Sequence, residues 1–402
     1  MWTLKLIWYN IFQFFFALAE HLLPWHLSSS VKGENCVLKI PEYLKKDKVQ
    51  RVLLVTDPTL TSLGLTAPLL DALREAGIEC TVYDKVQPNP TIDSIEEARQ
   101  LYVDNNCQGL IAFGGGSSMD CAKAAGARVV KPNQSIQQMG GTLRVQKKLP
   151  PLYAVPTTAG TGSETTVAAV VTDSKTHHKY AINDLNLIPK YAFLDPALTV
   201  GLPPHITSTT GMDALTHAVE AYTNRYAPKY TQDLSIKATK TIFSTLEDVY
   251  NNGKDMEGRE KMLEASYQAG AAFTRACVGN VHAIAHTLGG LYGVPHGLAN
   301  SVILPIVMED FGPKVYKKLA RLADEVGIKG NSDEEKAKAF IAEIRRMNKA
   351  MNIPDHLDMI QDEDIPQMIK WAMAEANPIY PVPEIWNEEK FRRTIEHVRG
   401  HY

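Results

Sequence analysis

Asp213 and His217 stand four residues apart in Gly211-Met212-Asp213-Ala214-Leu215-Thr216-His217, and His282-Ala283-Ile284-Ala285-His286 repeats that spacing. On a helix, residues i and i+4 share a face, so both members of a pair can meet one ion. His296 follows in Val294-Pro295-His296-Gly297. One carboxylate with several imidazoles and no thiolate suits Fe(II), Zn(II) or a similar cation. Any one of these histidines alone reads as an ordinary helix residue. Together, four of the chain's 12 histidines fall in these short segments with an acid at ligand spacing, which points to a metal.

A second constellation lies earlier. Ile111-Ala112-Phe113-Gly114-Gly115-Gly116-Ser117-Ser118-Met119-Asp120 reads as a strand, a glycine turn and a helix start. Glycines let backbone approach a phosphate, and a helix N-terminus offers unpaired N–H donors. Ser117 and Asp120 have capping-pair spacing, which predicts that the helix begins at Ser117. The run is not GxGxxG, and a plain β-turn-α connection with convenient glycines is the alternative. Pro156-Thr157-Thr158-Ala159-Gly160-Thr161-Gly162 follows the next strand, either completing a phosphate cradle or capping the next element. Asp57 ends an apolar run, where a carboxylate can accept from ribose hydroxyls and repel a 2'-phosphate. It precedes the glycine loop rather than following it, and it equally suits the start of an Asp57-Pro58 turn.

These residues need elements to position them. Strand patterns at 52–56, 80–83, 110–113 and 152–155 alternate with helical ones at 67–75 and 95–105, which implies βαβ units and a parallel sheet covered on both faces. Beyond Leu202-Pro203-Pro204 the pattern turns to long helices at 208–222, 232–250, 259–277, 282–292, 314–326 and 333–351. The expected organisation is an extension over 1–30, an α/β domain over 31–200 and a helical domain over 201–402. Phe273 and Cys277 precede the His282 helix, and core packing is expected of both.

Bulk properties narrow the partners. Lys and Arg number 42 against 45 acids, for a net charge of -3, and no basic run marks a nucleic-acid surface. The five cysteines are scattered and without a CxxC pair, as in a reducing, cytoplasmic setting. Residues 2–27 are rich in aromatics, yet Asn10, Gln13, Glu20 and His21 interrupt them, whereas a span needs ~20 mostly apolar residues. They predict an amphipathic helix ending near Pro24. Lys5, Tyr9, Asn10, Gln13, Glu20 and His21 lie on one arc, with Leu4, Trp8, Ile11, Phe15, Leu18 and Leu22 on the other. Its apolar arc is expected to pack on the body of the protein or on a second subunit. Membrane-surface attachment is the lesser reading, because the polar arc lacks the Lys and Arg enrichment such helices usually show.

Four segments, GGGSSMDCAKAAG, PTTAGTGSET, GMDALTHAVEAY and HAIAHTLGGLYGVPHGLAN, resemble in order and spacing the iron-containing (group III) alcohol dehydrogenases, a likeness running from about Val52 to the C-terminus. The resemblance implies a Rossmann-like, parallel-sheet α/β dinucleotide-binding domain and an all-α metal-binding domain. It also implies NAD-linked interconversion of small alcohols and aldehydes, with NADP the lesser choice. The metal ligands it implies are Asp213, His217, His282 and His296, holding Fe(II) or else Zn(II). His286 falls on a nearby histidine that is usually no ligand, either relaying a proton or orienting a ligand. It assigns the pyrophosphate to Gly114, Gly115, Gly116, Ser117, Asp120, Thr157 and Thr158, with Asp57 matching the acid of NAD preference. Asn89, Lys179 and Leu198 match further cofactor contacts.

Two departures stand out. Thr287 replaces a proline common in relatives, and the first helix replaces a short N-terminal strand, which puts the usual dimer arrangement in doubt. A homodimer or larger homo-oligomer is expected. Competing readings are a glycerol-dehydrogenase-like or dehydroquinate-synthase-like sister enzyme, a scaffold with a relic site, and a reductase dedicated to lactaldehyde/propanediol or to succinic semialdehyde/4-hydroxybutyrate. The Asp213–His217 and His282–His296 pairings favour the alcohol dehydrogenase branch.

Overall fold

Short β-branched runs form most of the strands in the computed structural model, which describes residues 2–174 and 179–400. The side chain of His21, placed above on the polar arc, lies outside the described residues. The strands are β1 Ser29–Lys32, β2 Arg51–Val55, β3 Glu79–Tyr83, β4 Gly109–Gly114, β5 Gly141–Thr142, β6 Leu152–Pro156, β7 Ala168–Thr172, β8 Lys179–Asn183 and β9 Tyr191–Leu194. Six of them form one parallel sheet in the order β1-β9-β6-β4-β2-β3. The other three form a small sheet in which β8 pairs antiparallel with β7 and parallel with β5.

The helices are α1 Trp2–Leu22, α2 Ile40–Lys46, α3 Pro58–Ser62, α4 Ala67–Glu75, α5 Ile92–Asp104, α6 Gly116–Val130 and α7 Ile136–Met139. Then come α8 Pro204–Thr223, α9 Lys229–Asn251, α10 Met256–Ala276, α11 Asn280–Leu291 and α12 His296–Phe311. Last are α13 Tyr316–Glu325, α14 Asp333–Ala350, α15 Ile365–Ala376 and α16 Glu388–Arg399.

Alternation along the strands separates two cores. Val52, Leu54, Ile111 and Phe113 join α2 and α4 through Ile40, Leu44, Leu69 and Leu73. Leu53, Val55, Leu110 and Ala112 join α5 and α6 on the opposite face. Side chains of successive strand residues point to opposite faces, so a strand covered by helices on both sides is apolar throughout. β4 is accordingly buried at every position.

The chain forms two compact units. One takes residues 25–201 together with Lys254–Tyr267; the other takes 2–24, Leu202–Gly253 and 268–400. The break near 200 lies where the strands end, but the first part of α10 groups with the α/β unit. There Leu263 packs on Ala192 and Leu194, Glu264 pairs with Lys32 at 2.7 Å, and the Tyr267 hydroxyl donates to the carbonyl of Ser28. Residues 2–24 group with the helical unit.

Three expectations need correction. The sheet has β1 and β9 as further strands, and β7 with β8 forms a hairpin. Helix α6 begins at Gly116 with Gly115 as its cap and no side-chain capping bond, so Ser117 and Asp120 form no capping pair. Finally, of the two places expected for the apolar arc of α1, the body of the chain is not the one taken: Gln13 is 1% exposed while Leu4 is 73% exposed. Among the described residues no helix is long and apolar enough to cross a membrane.

Candidate active site

In the α/β unit, the sheet gathers the predicted dinucleotide residues at the C-terminal ends of three adjacent strands. Asp57 follows β2, Gly114–Gly116 end β4, and Thr157 and Thr158 follow β6. Between β2 and β4 the strand order reverses, with β3 outward on one side and β6, β9 and β1 on the other. Ligands of open α/β sheets sit at such switch points.

The glycines have geometric reasons to be glycines. Gly114 has φ +149° and a β-carbon there would lie 2.5 Å from Ser118 Oγ. A β-carbon on Gly116 would lie 3.0 Å from Thr161 Cγ2. The Thr157 N–H donates to the Gly114 carbonyl at 3.1 Å, tying the two loops together. Ser117 Oγ accepts from the N–H of Asn89 at 3.2 Å, and Lys179 Nζ donates to Asn89 Oδ1 at 2.9 Å. Asn89 itself holds φ +58°. Asn89, Ser117 and Lys179 therefore sit together, although they come from three distant segments. Leu198 ends a 3-10 turn and packs on the same core face as Leu60.

Asp120 is turned away from this set. Its carboxylate accepts from Ser163 Oγ at 2.9 Å and from the Val170 N–H at 3.1 Å, and burial pushes its pKa up to about 6. Beside it, Lys123 is fully buried and donates to Ser163 Oγ and to Thr166 O and Oγ1. Burial pulls this lysine down to about 8. The pair anchors the 157–166 loop to α6; a direct cofactor role for Asp120 does not fit an inward carboxylate. Asp57 caps α3, its Oδ1 accepting from the N–H groups of Thr59 and Leu60 at 2.9 and 3.1 Å. Both bonds go to Oδ1, leaving Oδ2 to accept from a ligand.

In the helical unit, Asp213 and His217 project from α8, His282 from α11 and His296 from the first turn of α12. One donor atom from each lies within 4.8 Å of the other three. Two atoms each ~2.1 Å from a common ion stand at most ~4.2 Å apart, so the four need only a slight contraction to share one. Asp213, His217 and His282 are buried, as a metal site shielded from water requires. Burial, reinforced by the neighbouring histidines, holds the His282 pKa well below normal and the ring neutral, the form that ligates. The Asn300 Nδ2 lies 2.7 Å from Asp213 Oδ1 and 3.1 Å from the Nε2 atoms of His282 and His296. Their lone pairs thus converge on one point. The donor set fits a divalent transition metal.

Neighbours fix the rings. Glu220 Oε2 is 2.6 Å from His282 Nδ1, and Oε1 accepts from the Val281 N–H at 2.8 Å. An Nδ1–H held this way leaves Nε2 facing the cluster. Phe273 stacks on His217 at 4.2 Å between ring centroids, so it covers a candidate ligand rather than only filling core. Cys277 is half-buried, with φ +63°. His286 stands apart from the four: its Nδ1 is 2.7 Å from Glu375 Oε1, which also accepts from the Tyr380 hydroxyl at 2.9 Å. Its ring still stacks on His296 at 5.2 Å.

Glu220, Asn300, Phe273 and Glu375 thus join the site, all four in roles the sequence alone did not assign. Glu220 lies three residues after His217 and Asn300 four after His296, so helical spacing carried a signal for both. Nothing local marks Glu375.

Comparison with known proteins follows the same division. The pattern "Iron-containing alcohol dehydrogenase" matches residues 28–196, and "Fe-containing alcohol dehydrogenase family, C-terminal" matches 207–398. The chain is 38% identical over 351 residues to the NAD-dependent methanol dehydrogenase of Bacillus methanolicus, covering 86% of this chain and 92% of that one. It is 37% identical over 349 residues to the lactaldehyde reductase of Escherichia coli (strain K12), covering 85% and 91%. The solved alcohol dehydrogenase from Oenococcus oeni superposes with a TM-score of 0.90 at 33% identity, covering 93% of this chain and 99% of that one.

Proposed function

The chain belongs to the iron-containing alcohol dehydrogenase family, oxidoreductases of CH–OH groups, and from this premise we propose that it interconverts small primary alcohols and aldehydes with NAD and Fe(II). The observation that carries the proposal is the convergence of Asp213, His217, His282 and His296, the residues we assign to the metal. When bound, the ion supplies a Lewis acid for the substrate oxygen, and the dinucleotide takes or gives the hydride.

The chain's own residues do the rest. Glu220 holds the His282 ring so that Nε2 points to the cluster, and Phe273 shields His217 from one side. His286, its Nδ1 held 2.7 Å from Glu375 Oε1, takes the proton from the alcohol and passes it outward. In the α/β unit the N–H groups of Gly115, Gly116 and Ser117 at the start of α6 hold the pyrophosphate. Asp57 Oδ2 accepts from the adenosine ribose, and its charge disfavours a 2'-phosphate, which is why NAD is preferred. Asn89, kept in place by Lys179, and Leu198 border the same ligand.

The test is metal analysis of anaerobically purified protein together with turnover on a panel of alcohols and aldehydes that includes methanol, butanal and lactaldehyde. We expect about one iron per chain, NADH oxidation by a short aldehyde, and loss of both on chelation. Protein that binds no metal at these residues and turns over none of the panel overturns the reading.

A further inference from the structure

Helix α1 presents the wrong side to solvent for a helix of a monomer. Its polar residues are spent on the helical unit: Gln13 Nε2 donates to the Tyr380 carbonyl at 2.7 Å, and Arg225 donates to Asn10 Oδ1 at 2.6 Å and to Gln13 Oε1. Glu20 lies against Arg275 and Cys277. With these bonds made, α1 cannot roll to hide its other side. Leu4, Ile7, Ile11, Phe14 and Leu18 run along that side, each 52% to 73% exposed. Trp8, Phe15 and Leu22 widen it. At roughly 200 Å² for each fully exposed side chain, the face offers on the order of 900 Å² of apolar surface. The largest patch on a typical monomer is ~300–600 Å², whereas a stable protein interface takes ~800 Å² from each partner.

We propose that this face docks a second copy of the chain, the two α1 helices packing along each other as a two-fold pair. The area is that of one side of a standard interface. The five seam residues are spaced 3, 4, 3 and 4 apart, the heptad pattern with which identical helices interdigitate. The seam carries no charge, so two copies meet without like-charge contact, as an isologous interface requires. A lipid surface is the less suitable occupant: α1 has one lysine, Lys5, and no arginine, where helices lying on membranes are rich in both. α1 also precedes the residues matched by the family patterns, which begin at 28.

The test is the mass of the full-length protein in solution by analytical ultracentrifugation, without lipid or detergent. The wild type is expected at twice the chain's 44.5 kDa or a higher even multiple. The double variant Ile11→Glu, Leu18→Glu, altered only at exposed positions, is expected at half the wild-type mass, with metal content and turnover unchanged. In a second measurement, Ile11→Cys under mild oxidation is expected to give a covalent dimer. A monomeric wild type, or a double variant that keeps the wild-type mass, overturns the proposal. So does a wild-type monomer that floats with phosphatidylcholine vesicles, which assigns the face to lipid. Metal content reports separately on the functional proposal, so the two can fail independently.

Discussion

The carboxylate of Glu220 acts on the metal cluster only through another side chain, and that indirectness can be measured. Its two oxygens hold the Val281 N–H and the His282 ring. Glu220→Gln keeps the volume and one acceptor but puts an amide in place of the buried carboxyl, whose pKa burial raises to about 8, beside the imidazole. We expect metal affinity to fall about 10- to 100-fold, by competition with a chelator, with little loss of thermal stability. Unchanged affinity would reduce Glu220 to a brace for the α11 backbone. The three C-terminal histidines separate by the same measurement. His282→Ala and His296→Ala each remove a donor and should lower metal content sharply, whereas His286→Ala should keep the metal and lose turnover. A metal-free His286→Ala beside a metal-loaded His296→Ala would reverse the assignment. Helix periodicity made the Asp213–His217 pair legible, whereas adding His296 to His282 and setting His286 aside rested on the family resemblance, since i,i+4 spacing pairs His282 with His286. The brace on His286 was not legible: Glu375 lies 89 residues away, and only the packing of α15 against α11 brings it there.

Elements explain which parts of the fold could be read. β2, β3, β4 and β6 are apolar runs bounded by turns, and amphipathic helices such as α4 and α5 announce themselves by period. β1 and β9 are four residues each, too short for a periodic signal. Helix α12 was missed because it is buried nearly all round and has no polar face, besides carrying Pro305. Asp57 shows an element and a ligand contact sharing one carboxylate, since it caps α3 with Oδ1. Asp57→Gly therefore tests the ligand role at small structural cost: glycine at an N-cap loses only a few tenths of a kcal/mol. The expected outcome is a kcat/KM ratio shifted toward NADP at nearly unchanged melting temperature. An unchanged ratio would leave Asp57 as a helix cap alone.

At the scale of the whole molecule, sequence placed the change of character near 200 but missed two exchanges of chain: the first part of α10 joins the α/β unit, and α1 joins the helical unit. Both are long-range packing choices that local pattern does not encode. For α1 the amphipathic pattern was correctly seen, but of the two places expected for its apolar arc the body of the chain is not the one taken, because Gln13 and Asn10 found partners there in Arg225 and the Tyr380 carbonyl. That orientation has a consequence for pH. Burial on the helical unit raises the Glu20 pKa from 4.5 to about 7, against an opposing pull from Arg275. Docked α1 therefore binds more protons than detached α1 between these values. The contribution of Glu20 to docking is fully present below 4.5 and is lost as the pH rises through about 7. Cys277, the other titratable neighbour, stays a neutral thiol across this range because burial raises its pKa well above normal. Hydrogen-exchange protection of α1, corrected for the intrinsic pH dependence of exchange, should thus be greater at pH 5 than at pH 8. Glu20→Gln, permanently neutral, should flatten that difference. Protection that rises with pH in the wild type, or a difference that survives in Glu20→Gln, would mean that Glu20 does not control how α1 is held.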